Sequence, residues 1–201
     1  DLSGKWSFSI DRQDNGEKEK WFSHTLNDCI NLPGSMPEKL KGDEVTAKTQ
    51  WTGSLYDSSY YYNPYMEKYR KEGNIKFPFF LTPDKHYVGA AWYQKEVNIP
   101  ADWKGERILL FLERPHIETT VWVNGQKTGM QNSLCVPHQY DITRYVRPGK
   151  CTITIRVDNR IKEINVGPDS HSITDQTQGN WNGIVGRICL QTTPKTYFDD
   201  I

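Results

Sequence analysis

The sequence predicts an all-β sandwich or jelly roll, and three observations carry that prediction. Apolar and polar residues alternate with period two along several segments, which is the pattern of a strand with one face on a core. An Asn124-Gly125 pair follows one such segment, and these residues tolerate the positive φ of a tight hairpin turn. No segment carries a convincing apolar stripe at helical spacing, so a parallel sheet with helical crossovers is disfavoured.

Taken in chain order, Trp6, Phe8 and Ile10 open the first strand, and Ile30 and Leu32 mark a short second one. Tyr93 to Ile99 alternates until Pro100 stops it. Ile108 to Leu112 is apolar at every position and reads as a central strand buried on both faces. Val121 and Val123 alternate with Thr120 and Trp122 and run into Asn124-Gly125, so Trp122 is expected in a core or on a sheet face rather than as a ligand platform. Gln139 to Ile142 gives another strand. In the next, Cys151, Ile153, Ile155 and Val157 point one way while Thr152, Thr154, Arg156 and Asp158 point the other. Ile184 to Leu190 closes the set, for about eight strands in all.

Two stretches break this rhythm. Residues 33–87 form a long irregular excursion rich in Pro, Gly and Tyr, with at most a short helix near Pro64 to Arg70, and it includes Tyr60-Tyr61-Tyr62 and Tyr65. Residues 159–183 form a polar, Gly-containing loop with almost no apolar content after Val166. Connections of this length in a compact domain are usually functional or disordered. A chain of 201 residues otherwise suits one large domain with an insertion.

Composition narrows the partners. Lys+Arg and Asp+Glu both total 25, so no net field draws in nucleic acid or an anionic lipid surface, and a neutral partner is expected. The longest strongly apolar run, Ile108 to Leu112, is far too short to span a membrane. The start at Asp1 carries neither a basic nor an apolar leader, and a periplasmic or secreted location is favoured if a signal peptide has been removed. Cys29, Cys135, Cys151 and Cys189 are too scattered for a CxxC metal site, and both two disulfides and four packed thiols fit their number. Seven Trp and eleven Tyr accompany a mean hydropathy of −0.75, which places many rings near polar surface. That suits sugar binding, and it also suits a sheet-rich fold in which Trp and Tyr are good strand residues.

No complete catalytic constellation stands out. Glycosidic hydrolysis needs two carboxyl groups on either side of a sugar. Glu113, Glu118, Asp158, Glu163, Asp169 and Asp175 could supply a pair by number, but nothing in their spacing selects one. His86, His116, His138 and His171 are isolated, with no HExxH or HxH spacing, so neither a metal site nor a cofactor is expected. Gly34-Ser35 and Gly53-Ser54 do not complete a GxSxG nucleophile turn. The loop from Asn159 to Gly183 is the most suggestive stretch, because it gathers Arg160, His171, Asp175, Gln178, Asn180, Trp181 and Asn182. Carboxylate, amide and guanidinium groups can each meet vicinal hydroxyls, and an indole can lie against a pyranose face. A loop whose polar groups are solvated or cap their own turns fits the same residues. Arg114 and His116, after the central strand, are further substrate-binding candidates, although an Arg beside Pro115 also suits a strand-end ion pair.

Several segments in order resemble the N-terminal sugar-binding domain of family 2 glycoside hydrolases, the group of β-galactosidases, β-glucuronidases and β-mannosidases. They are Ala91-Trp92-Tyr93-Gln94-Lys95, Leu112-Glu113-Arg114-Pro115-His116 and Val121-Trp122-Val123-Asn124-Gly125-Gln126. They continue with His138-Gln139-Tyr140-Asp141-Ile142-Thr143, Ile155-Arg156-Val157-Asp158-Asn159, Trp181-Asn182-Gly183-Ile184 and Gly186-Arg187. The resemblance covers roughly residues 85 to 195. It implies a jelly-roll sandwich of the galactose-binding type over residues 1–195, with the insertion at 33–87, and residues 196–201 as the cut-short start of an immunoglobulin-like domain. It also implies that both catalytic glutamates sit in a (β/α)8 barrel, which takes about 250 residues and cannot fit in this chain. The domain would then contact a β-glycoside as one wall of a composite pocket, packed on the immunoglobulin-like and barrel domains, without supplying the chemistry. In the family an acidic residue before the last strand touches substrate hydroxyls. Asp175 is the nearest match, though it lies further from Trp181 than the family pattern places it, so Gln178 or Asn180 could take the role. An autonomous carbohydrate-binding module and a purely structural sandwich are the alternatives.

Overall fold

The computed structural model describes residues 1–162, 167 and 169–197. The described chain divides into two compact units, one of Asp1–Ser35, Gly89–Asn159 and Asn182–Ile201 and one of Met36–Val88 and Arg160–Trp181. The two rhythm-breaking stretches of the sequence thus fold together as the second unit.

The first unit is built from two antiparallel sheets. One has the order β2 (Asp28–Leu32), β1 (Gly4–Asp11), β6 (Ala90–Ile99), β11 (Gly149–Asp158), β8 (Glu118–Val123), β9 (Gln126–Asn132). The other has the order β10 (His138–Asp141), β7 (Arg107–Pro115), β12 (Gly183–Thr193), β3 (Gly34–Ser35). Non-consecutive neighbours such as β1–β6 and β11–β8 make this a sandwich with jelly-roll crossovers rather than a meander. The alternation read from the sequence supplies the core: Trp6, Phe8, Tyr93, Val121, Ile153 and Ile155 are all buried, and the Phe8 and Tyr93 rings lie 5.2 Å apart. β7 is buried from Ile108 through Leu112, as a central strand should be.

The structure corrects the sequence reading at one point. The alternation in β11 predicts a polar face turned to water, yet Thr154, Arg156 and Asp158 are as buried as the apolar residues that alternate with them. The reason is the segment after β1, which returns across the outside of the six-stranded sheet. Leu26 joins Trp92 and Trp122 in a buried cluster, with Trp21 and Phe22 packed against it. Trp92 and Trp122 stack at 5.0 Å, Phe22 stacks on Trp122 at 5.2 Å, and Trp21 tilts onto Trp92 at 6.1 Å. Trp122 is therefore packed, as its sequence context indicated. The Asp11 carboxylate fixes the start of this return by accepting from Asn15 N, Gly16 N and Trp92 Nε1. The hairpin expected at Asn124-Gly125 is present, and its outer arm β9 is a seven-residue strand of mostly polar residues: Gln126–Asn132 pairs with β8 through its backbone while its side chains stay largely exposed. A polar edge bearing Lys127 is a common way of blunting a sheet edge.

The second unit holds the two-stranded pair β4 (Asp43–Glu44) and β5 (Lys85–His86), a short helix α1 (Ser59–Tyr62) and a 3-10 helix at Pro64–Arg70, where the sequence suggested a short helix. Asn63 caps that 3-10 helix by accepting from Tyr65 N. Its core is aromatic. Trp51 meets Phe77, Phe79 and His86 edge-on at 4.9, 5.0 and 4.6 Å, and fully buried Tyr60 lies 4.6 Å from Phe77. None of the four cysteines is in a disulfide. No described helix is long and apolar enough to cross a membrane.

Candidate functional site

The loop singled out by sequence is organised around Asp175. In the turn that follows it, Thr177, Gln178 and Gly179 all donate their backbone N–H to Thr174 O. This turns the Asp175 carboxylate inward, where it is 4% exposed. One oxygen accepts from Thr52 N at 2.7 Å and from His86 Nε2 at 3.1 Å, and the other accepts from Asn180 N at 2.7 Å. Asp175 N donates in turn to Thr52 O, and Asn180 Nδ2 donates to Thr52 Oγ1 at 2.9 Å. Two further links repeat the pattern along the excursion. Ser54 donates through both its backbone and its hydroxyl to the Asp169 carboxylate, and Tyr56 N donates to Gln176 Oε1 at 2.9 Å. Alternate residues Thr52, Ser54 and Tyr56 are thereby tied to Asp175, Asp169 and Gln176 much as a strand is tied to its neighbour.

The other sequence candidates fall into two groups. In the second unit His171 and Gln178 are exposed, and Arg160 and Trp181 are half-buried. These groups keep surface for a ligand, whereas Asp175 and Asn180 are turned into their own unit. In the first unit Asn182 is 1% exposed: Tyr93 Oη donates to its Oδ1 at 2.8 Å, and its Nδ2 donates to Gly89 O and Val157 O at 2.9 and 3.0 Å. It therefore ties the beginnings of β6 and β12 to the end of β11. Neighbouring Gly183 has φ +143°, and a Cβ there would lie 2.5 Å from Gly34 O, so only glycine lets β12 approach β3. His116 is buried, with its backbone N–H donated to Gly183 O, and Arg114 is exposed.

Among the described residues, each acid that could have formed a hydrolytic pair has a structural partner. Glu113 accepts from Arg187 N and Nε across the β12 bulge, and the Arg187 N–H groups hold its carboxyl below the usual carboxylate range. Glu118 and Asp158 both meet the buried Arg156 guanidinium, together with Asp14. Burial alone would lower the Arg156 pKa, but the Asp14 and Asp158 carboxylates more than offset it and the net shift is upward. Asp169 and Asp175 hold the excursion, and Glu163 lies outside the described residues. Among the described residues no group of three or more His, Cys, Asp or Glu could hold a metal ion.

His86, Thr52 and Trp51 were missed by sequence reasoning. His86 is 89 residues from Asp175, so no local pattern links the pair.

A model for the sugar-binding domain of the glycosyl hydrolases of family 2 matches residues 1–194. The chain belongs to that family. This family 2 sugar-binding domain is 25% identical over 229 aligned residues to the β-glucuronidase of Homo sapiens and 24% identical to that of Pongo abelii. In both cases the match takes in 100% of this chain and 30% of the relative. A β-glucuronidase of Paenibacillus borealis is 27% identical over 160 residues, which is 79% of this chain and 21% of that protein. Among solved structures, an uncultured Clostridium sp. β-glucuronidase superposes with a TM-score of 0.63 at 20% identity, covering 96% of this chain and 28% of that one. A Ruminococcus gnavus β-glucuronidase gives a TM-score of 0.55 at 20% identity, covering 91% and 26%. These likenesses in structure establish the fold. The chain spans about 30% of the length of the human and Pongo relatives it matches.

Proposed function

We propose that this domain is the non-catalytic, substrate-framing part of a longer retaining β-glycosidase whose substrate is a β-glucuronide. The observation that carries the reading is the family match over residues 1–194 in a chain that spans only 30% of its β-glucuronidase relatives. Retaining hydrolysis takes two carboxyl groups about 5–5.5 Å apart, one as nucleophile and one as acid/base. A (β/α)8 barrel of about 250 residues would supply both, with an immunoglobulin-like domain between it and this sandwich. Residues 1–195 would form the sugar-binding domain and residues 196–201 the start of the next one; of these, 198–201 lie outside the described residues. The structural engagement of Glu113, Glu118, Asp158, Asp169 and Asp175 supports a role without chemistry.

Within the composite pocket, His171, Gln178, Trp181 and Arg160 would meet the substrate, with Arg114 and His116 as further contacts. Asp175, Asn180 and Asn182 would act through position, by fixing the loop that carries the others. Groups that bind ground state and transition state alike change KM and leave kcat alone. In the longer enzyme, Gln178→Ala and His171→Ala should therefore raise KM for a chromogenic β-glucuronide several-fold with kcat nearly unchanged. KM values equal to the parent's for both variants would remove the loop from the pocket.

A further inference from the structure

The first unit carries a cavity that none of the loop candidates lines. It lies on the outside of the six-stranded sheet and is bounded by Phe22, Ser23, His24, Thr25, Gln94, Asn124, Gly125 and Thr152, with a volume of about 370 Å³. That volume lies within the range of small-ligand sites, roughly 300–1,000 Å³.

The cavity's chemistry is specific. None of its lining residues is an acid, a lysine or an arginine, and its one titratable group, His24, has Nε2 engaged with Glu19 O. Gln94 is 8% exposed and rigidly held: its Nε2 donates to His24 O at 3.0 Å and to Thr154 Oγ1 at 3.1 Å. Because a carbonyl can only accept, the amide nitrogen must face His24 O, and both amide protons are consumed. The carboxamide oxygen is left as a fixed acceptor with no protein donor among the described residues. The hydroxyls of Ser23, Thr25 and Thr152 add three groups that can donate or accept. Phe22 is backed by Trp122, whose ring lies parallel to it within 7°, so its position is set by packing. Asn124 closes the rim and is itself held, accepting from Thr152 N and donating to Tyr145 O.

A fixed acceptor, three hydroxyls and an aromatic ring without any charge match a neutral, hydroxyl-rich ring that has an apolar face. We propose that this cavity is a second saccharide site, which takes one neutral pyranose unit with its apolar face on Phe22 and its hydroxyls on Gln94 Oε1, Ser23, Thr25 and Thr152. The site does not depend on the glycosidase reading above. It lies wholly within the first unit and disfavours a uronic acid, because nothing in its lining pairs a carboxylate.

The test is a titration of the ¹⁵N-labelled 201-residue chain with cellobiose, with methyl β-glucoside, with glucuronate and with glycerol, read at the Gln94 side-chain amide and the Gly125 backbone amide. Saturable shifts are expected with the two neutral sugars at millimolar Kd, with glucuronate weaker and glycerol without effect. Thr152→Val and Ser23→Ala, which remove a hydroxyl and leave the sheet intact, should each weaken cellobiose by about threefold or more. Phe22→Ala should abolish binding, and its folded state is checked from the same spectrum. The proposal is overturned if neither resonance moves at about 50 mM sugar, well above a millimolar Kd. Equal shifts with glycerol, or full binding by the Thr152→Val and Ser23→Ala chains, would overturn it as well. Failure here leaves the hydrolysis assays untouched, and failure there leaves this titration untouched.

Discussion

Asp175 shows how one side chain can be recognised by sequence and yet take a different part in the structure. Its loop reads as polar and ligand-facing, but its carboxylate accepts from Thr52, His86 and Asn180 inside its own unit. In Asp175→Asn an amide N–H₂ must face at least one of these donors. The expected cost is about 1–3 kcal/mol, typical of a buried group left unsatisfied. Hydrogen exchange should show it as faster exchange at the Thr52 and Asn180 amides, with protection unchanged at Tyr93 and Ile155; unchanged exchange at Thr52 would mean that the carboxylate does not organise the loop. Gly183 offers a second check at this scale. Gly183→Ala puts a Cβ within 2.5 Å of Gly34 O, whereas a Cβ at Gly105, also at positive φ, would have nothing within 4 Å. Both substitutions incur backbone strain of about 1 kcal/mol or more, so the additional loss of urea midpoint in Gly183→Ala measures the clash with β3. Equal losses would show that β3 gives way freely.

At the scale of elements, β10 carries a pH response. His138 on this strand is fully buried, with Nε2 donating to Ser133 O and Nδ1 accepting from Thr119 Oγ1. Burial holds its pKa below the ordinary 6.5, and the Ser133 carbonyl only partly opposes that. Tyr140, two residues on, is pushed up to about 12 by burial and hydrogen-bonds to Thr119. Because His138 is a base whose folded pKa is depressed, the unfolded chain binds more protons between the two values. Its contribution is complete above 6.5 and is lost as pH falls through the window below. Urea midpoints should therefore drop from about pH 7 to pH 5, before ordinary carboxylates titrate, and the drop should be smaller in His138→Gln. Equal slopes would assign the response elsewhere.

The same scale shows what was legible. β1, β6, β8 and β11 could be read because each places apolar side chains at alternate positions on a shared core, and β12 from its largely apolar run Ile184 to Leu190. β9 was legible only through the Asn124-Gly125 turn before it, because an edge strand is held by backbone pairing that leaves its side chains free to be polar. The burial of β11's polar face was hidden as well, since it depends on Trp21, Phe22 and Leu26 returning from a segment with no periodicity of its own.

For the whole molecule, the family could be read from ordered short motifs, and each of those motifs turns out to have a structural task. Gln94 is pinned between His24 and Thr154, Asn182 ties three strand ends, and Gly183 permits the approach of β3. The pairing of the excursion with the late loop was not legible, because Thr52 and Asp175 are 123 residues apart and are joined by hydrogen bonds that no local pattern encodes. Glu113, Glu118 and Asp158 are engaged inside the first unit, and Asp169 and Asp175 inside the second. The most direct measurement is hydrolysis of 4-nitrophenyl β-glucuronide by the 201-residue chain alone. The account predicts no nitrophenol release above buffer at any enzyme concentration; saturable turnover that scales with the chain would contradict it.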